Sequence, residues 1–342
     1  MVRPYGLLRA GFPYLKTLGM RRITNFPADV AFGPGGVVYI LLRSEGAAQI
    51  RVWSIDDAEQ FSGDLVQIGS YGAGDGQFQW PVQIVCNEAG DLFVSDEATH
   101  RISRFKADGE FIGKWGLEGT AAGELKGPAG IAFEGDGNMV VVDSQNHRIQ
   151  RFTPEGEHLG GFGSYGAQPG QFDLPLGVHV DELGYIYVAD WGNNRVQKLD
   201  SQGEPVVVIG QEGSGDGEFN RPMGVSVDLH GDIYVADWGN NRVQMFNQEG
   251  HYIWKFLGNA DLSRVARTYM MTNAMPNRLR EIGKLEEETL LRRPRSVRVD
   301  SEFRLFVADY ESYRIQIYQK DAIPLDEDTL AVAPRNPTLA TT

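Results

Sequence analysis

The sequence predicts an all-β fold: a six-bladed β-propeller with four antiparallel strands per blade. Three observations carry this. A proline that opens a β-branched run recurs at Pro27, Pro81, Pro128, Pro175, Pro222 and Pro294. Three consecutive intervals are 47 residues long, flanked by intervals of 54 and 72. Each unit holds short runs rich in Val, Ile, Tyr and Phe, parted by Gly, Asp and Asn turns, which is the pattern of strands rather than helices. Four-stranded sheets repeated at this period specify propeller blades, and six units specify six blades.

The strands can be placed in order within the unit. In the fourth unit, Pro175-Leu-Gly-Val-His-Val-Asp is followed by Gly184-Tyr-Ile-Tyr-Val-Ala-Asp190 and then by Asn194-Arg-Val-Gln-Lys-Leu. The fifth repeats this as Pro222-Met-Gly-Val-Ser-Val-Asp, Gly231-Asp-Ile-Tyr-Val-Ala-Asp237 and Asn241-Arg-Val-Gln-Met-Phe246. A fourth run follows a Gly turn, as in Gly109-Glu-Phe-Ile-Gly-Lys-Trp115. The last unit has three strands and stops near Lys320. An orphan run at 13–19 looks like the strand Tyr252-Ile-Trp-Lys-Phe-Leu-Gly258. Residues 13–19 are therefore expected on the outer edge of the sixth blade, closing the ring and removing an exposed edge. This makes 1–320 one propeller domain. The tail 321–342, with three prolines and no periodicity, is expected to be disordered or partner-dependent.

These motifs resemble the NHL repeat family. The match is close over 81–246, good over 294–318 and weak over 27–53, where Leu42 stands in place of the Asp and no matching Arg follows. The resemblance implies a six-bladed ring and leaves activity open, since such propellers include both binding proteins and enzymes.

The interval from Pro222 to Pro294 carries 25 extra residues. Residues 260–293 show no strand pattern. Leu262, Val265, Ala266, Tyr269 and Met270 fall on one helical face. After the break at Pro276-Asn277, Leu279, Ile282 and Leu285 suggest a second helix. This short helical insert between blades 5 and 6 replaces a linker and is expected on the upper face. From Asp261 to Arg298 there are nine Lys/Arg, including Arg278 and Arg280, against five acids, so the segment is +4 in a chain of net charge −14. It reads either as a lid on its own acidic loops or as a docking surface for an acidic partner.

Composition narrows the function. A chain of net charge −14 repels phosphate backbones, so RNA binding of the kind the resemblance allows, and anionic membranes, are disfavoured. The single cysteine, Cys86, forms no internal disulfide or Cys-based zinc site. No stretch is apolar for 18 residues and no signal-peptide core is present, so the expected address is cytoplasmic, alone or within a larger complex.

The pairs Asp96/Arg101, Asp143/Arg148, Asp190/Arg195, Asp237/Arg242 and Asp309/Arg314 straddle one turn. An active site needs such a pair once, so five copies are structural staples. The glycines near Gly69 and Gly210 repeat with the blades and read as turns, not phosphate loops. Asp75 and Asp216 suggest at most structural calcium, without the Asp-x-Asp-x-Asp spacing of a dedicated loop. No other cofactor is expected. Peptide-amidating lyases among NHL-like propellers carry zinc-binding histidines just after the repeat proline. Here those positions are Ala28, Val82, Ala129, Leu176, Met223 and Arg295. Of His100, His147, His158, His179, His230 and His251, only His179 lies on an innermost strand, where it reads as a packing residue. The Glu and Asn set of lactonase-like propellers is not found.

What remains is where the repeats differ. At the second position after the proline, three blades have Gly (Gly130, Gly177, Gly224), while the others have Asp29, Gln83 and Ser296. Arg221, Arg293 and Arg295 flank the channel mouth, with Trp80, Trp191, Trp238, Tyr310 and Tyr313 on nearby loops. Arg and aromatic groups on a rim anchor binding surfaces, although Trp191 and Trp238 also fit as covers over neighbouring blades. The expected function is a non-catalytic scaffold that binds a protein or small polar ligand through its upper face, mouth and insert. The alternative is a hydrolase or lyase using Asp29 as base and Arg293 or Arg295 as clamp.

Overall fold

In the computed structural model, residues 6–21, 23–55, 67–272 and 285–325 are described. Six four-stranded sheets form the ring, five of them built in chain order from the channel outward and the sixth taking its outer strand from the N-terminal part of the chain. Blade 4 is representative, with strands Pro175–Val180, Ile186–Asp190, Arg195–Leu199 and Pro205–Ile209. All its pairings are antiparallel.

The ring closes as the repeat pattern requires. Strand Tyr14–Leu18 pairs antiparallel with Arg314–Gln319, placing Tyr14 opposite Tyr318 and Leu18 opposite Ile315. Leu18 is fully buried, so the added strand brings core as well as hydrogen bonds.

One correction concerns the tail. Asp321–Leu325 is a strand, paired antiparallel with Gly6–Gly11 in a separate ribbon. Charges hold the ribbon to blade 5. Arg9 binds Asp232, and the buried ammonium of Lys320 lies 2.5 Å from Asp228 and 2.7 Å from Asp232. Residues 326–342 lie outside the described residues.

Between blades the core is apolar and periodic. Phe78, Leu125, Phe172, Phe219 and Leu291 each precede the repeat proline by three residues and are buried. At the centre, the glycines permit strand contact. A Cβ on Gly130 would stand 2.4 Å from the Leu176 carbonyl oxygen, and one on Gly177 2.5 Å from that of Met223. Where Asp29, Gln83 and Ser296 replace glycine, their side chains are buried and line the central channel.

The insert is helical over α1 (Arg264–Thr272) and α2 (Leu285–Thr289). Leu279, Ile282, Arg278 and Arg280 lie outside the described residues. Of the expected apolar stripe only Val265 is buried, among Leu18, Trp53 and Ile55 where blades 6 and 1 meet. Tyr269 is exposed. The ends of the insert close on each other through Ala260 N–H to the Thr289 carbonyl and Leu291 N–H to that of Leu257.

Candidate functional site

The upper end of the channel is a cavity of about 430 Å³ built from two rings of side chains. The upper ring is the residue that follows the end of each second strand: Arg43, Glu97, Ser144, Trp191, Trp238 and Tyr310, all of which line the cavity. Blades 1 to 3 give it a polar half and blades 4 to 6 an aromatic half. The lower ring is the residue after each repeat proline. Five of its members are apolar (Ala28, Val82, Ala129, Leu176, Met223) and the sixth is Arg295.

The residue before the proline stacks on the upper ring of the preceding blade. Arg221 lies 4.7 Å from the Trp191 ring centroid, and Arg293 lies 4.6 Å from Trp238. Trp80 and Arg43 make the same contact with the partners exchanged, at 5.0 Å. Phe26 packs against Tyr310 at 5.1 Å and against Tyr313 at 4.8 Å. Arg221 and Arg293 adopt positive φ (57° and 50°), a costly conformation for a side chain of this size. Their N–H groups are held by Asn194 and Asn241 at 2.8 Å. In blades 3 and 4 the same N–H is held by Nδ1 of His100 and His147 at 3.0 Å. These histidines are structural. Trp191 and Trp238 therefore cover neighbouring blades and also wall the cavity.

The charges of the mouth are almost all consumed. Arg43 binds Glu97, and Arg293 pairs with Glu311 at 3.0 Å. Asp29 is buried below the mouth. It accepts from Arg298 Nε (2.9 Å) and Nη2 (2.7 Å), from Ser296 Oγ (2.5 Å) and from Ile84 N–H (3.1 Å). A carboxylate so engaged is not the free base that the enzymatic alternative needs. Gln83 reaches across the channel to the carbonyls of Ile131 (2.5 Å) and Val178 (3.3 Å). Asp29 and Gln83 thus tie innermost strands together beneath the mouth. Arg295 makes no hydrogen bond or ion pair among the described residues. Its nearest partner is the Tyr310 ring at 5.5 Å. Burial, with Arg43 nearby, pushes its guanidinium down to about 10.

The staples hold in four of five copies. Nε of Arg148, Arg195, Arg242 and Arg314 donates to its Asp at 2.7–2.8 Å. In blade 2, Arg101 binds only the carbonyls of Ala73, Gly74 and Gln77, and its buried Nε has no partner. Asp75 and Asp216, considered for calcium, pair with Lys114 (2.7 Å) and Lys255 (2.8 Å).

Of the residues that sequence reasoning placed around the mouth, Trp191, Trp238, Tyr310, Arg293 and Arg295 line the cavity, while Trp80 and Arg221 only stack on its upper ring. That reasoning missed Arg43, Glu97 and Ser144. The signal was available, since all three occupy the repeat position of Trp191. No residue of α1 or α2 lines the cavity, so the described part of the insert is separate from the mouth.

The NHL repeat family matches at residues 172–199 and 219–246. Together with the six-bladed ring, these two matched repeats support an NHL-repeat propeller. A search of curated proteins finds no match. Among solved structures, a protein of unknown function from Bacteroides thetaiotaomicron is similar at TM-score 0.62 and 16% identity, covering 92% of this chain and 77% of that one. A catalytically inactive virginiamycin B lyase from Staphylococcus aureus is similar at 0.57 and 13%, covering 93% and 90%. An auxiliary nutrient binding protein from Bacteroides thetaiotaomicron is similar at 0.59 and 11%, covering 90% and 72%. At these identities the likeness is one of fold. No helix among the described residues is long and apolar enough to cross a membrane.

Proposed function

We propose that this propeller is a binding protein whose ligand enters the upper mouth. One observation carries the reading: an aromatic half-ring and an Arg295 with no ion pair among the described residues surround the cavity, while Asp29 beneath it is engaged by Arg298. The site offers contact surface and a fixed charge, and no free acid–base pair among its described residues. The insert is a separate element of this proposal, available to a protein partner at the rim of blades 6 and 1. Fold neighbours include both a lyase and a nutrient binding protein, so they do not decide between binding and catalysis.

The test is a thermal-shift screen of a metabolite library, followed by mass spectrometry of each hit after incubation with the protein. Hits should raise the melting temperature of the wild type and not of the Trp191→Ala/Trp238→Ala variant, and should be recovered unchanged. Hits that stabilise both proteins alike would place the site elsewhere. Hits converted to product would establish an enzyme.

A further inference from the structure

Arg295 is the one charged member of a ring that is otherwise Ala, Val, Ala, Leu and Met. The other arginines that line the cavity or lie beneath it have counter-ions, Glu97 for Arg43, Glu311 for Arg293 and Asp29 for Arg298, whereas Arg221 is exposed on the Trp191 ring and does not line the cavity. The Arg295 guanidinium therefore keeps its five N–H donors unused, in a site where burial disfavours its charge. Its acid constant of about 10 still leaves it a cation at neutral pH. Holding this charge in a site only partly open to solvent costs stability, and only the Tyr310 ring and the carboxylates of Glu97 and Asp29, neither bonded to it, offset that cost. It becomes favourable when an anion arrives.

We propose that the mouth selects a small, singly charged carboxylate carrying an apolar or aromatic body, with Arg295 as its anchor. This rests on the mouth-binding reading above. The charge count chooses the class: one unpaired cation neutralises one negative charge, and a phosphate dianion would leave a second charge buried and unpaired. Geometry agrees, because the planar guanidinium fork matches a carboxylate with two parallel bonds. The opposite wall sets the body of the ligand. Leu174, Leu176, Met223, Trp191 and Trp238 give it an apolar and aromatic lining. A cavity of about 430 Å³ falls within the range of small-molecule sites.

The experiment uses the full chain and a panel of probes: benzoate, phenylacetate, indole-3-acetate, N-acetylphenylalanine and octanoate, each beside its primary amide, with phenyl phosphate as the dianion. Binding is followed by calorimetry and thermal shift on wild type, Arg295→Gln and a distant control, Lys106→Gln. Without ligand, Arg295→Gln should melt at or above wild type, since it removes an unpaired charge. At least one acid should bind the wild type and Lys106→Gln about tenfold or more tightly than its amide, and Arg295→Gln should lose that preference. Acid and amide binding alike would sink the carboxylate claim and leave mouth binding standing. Phenyl phosphate preferred over every carboxylate would overturn the charge count. No acid binding at millimolar concentration, or an Arg295→Gln protein markedly less stable than wild type, would also overturn the proposal. The mouth-binding reading would then stand or fall on the tryptophan variant alone.

Discussion

His179 shows what one residue's surroundings do to it. It sits on the innermost strand of blade 4, over the lower end of the channel, where burial and the nearby Arg298 push its imidazole down to about 4, against a smaller opposing effect of Asp181. In the unfolded chain the same group titrates near 6.5. Between those values the unfolded state binds the extra proton, so folding stability falls as pH drops from about 6.5 to about 4, by at most about 1.4 kcal/mol per pH unit. Above 6.5 the group contributes no slope. The expected outcome is that His179→Gln shows a shallower acid loss than wild type across that window, measured by urea unfolding at several pH values. Parallel curves would mean that His179 is accessible to protons in the folded state. The residue scale is also where sequence reading was least complete. Asp29 looked like a free acid because its partner, Arg298, lies 269 residues away. Arg295 was legible as a mouth residue. That it lacks a counter-ion among the described residues, unlike the other cavity-lining arginines Arg43 and Arg293, was not, because charge pairing is a property of the assembled ring.

At the scale of the blade, the repeat itself supplies the control. In blades 3 to 5 the staple Asp also accepts from an Asn three residues on and a Gln seven residues on, as Asp190 does from Asn193 (2.9 Å) and Gln197 (3.2 Å). The same Gln takes the N–H of a turn glycine, Gly170, at 2.9 Å. Blade 2 has Thr99 and Ser103 at these places. Both hydroxyls are buried without a partner, together with Arg101 Nε. Unsatisfied buried polar atoms cost about 1–3 kcal/mol each. Restoring the repeat with Thr99→Asn/Ser103→Gln should therefore stabilise the protein by roughly 1–2 kcal/mol. A higher urea midpoint at unchanged slope checks this. A lower midpoint would mean that the shorter side chains fit a locally different packing. The strands and staples were readable because period-2 patterning and turn residues are local signals. The ribbon of Gly6–Gly11 with Asp321–Leu325 was not, because neither strand has a counterpart in the other blades. Its anchors, such as Arg9 to Asp232, span 223 residues.

On the scale of the whole molecule, what distinguishes this ring from an open array of repeats is the strand from the other end of the chain. Each blade rests mainly on its neighbours, so an open array would lose end repeats gradually. Here blade 6 takes its outer strand, Tyr14–Leu18, from the N-terminus, and Leu18 and Ile315 sit in the core shared by blades 6 and 1. Removing that strand uncovers the edge Arg314–Gln319 and forfeits about 2 kcal/mol from Leu18 alone, before any loss of backbone pairing. Removing only residues 1–11 takes away the ribbon and leaves Asp232 with Lys320 as its remaining counter-ion. The two truncations should separate. The chain starting at residue 12 should remain a monomer with one cooperative unfolding transition at a lower melting temperature. The chain starting at residue 20 should unfold in a broadened, multi-step transition or associate through its open edge, as seen by size exclusion and by comparing tryptophan fluorescence with circular dichroism. If the longer truncation kept a single sharp transition, closure by the N-terminal strand would be dispensable, and the ring would be held by its blade-to-blade contacts alone.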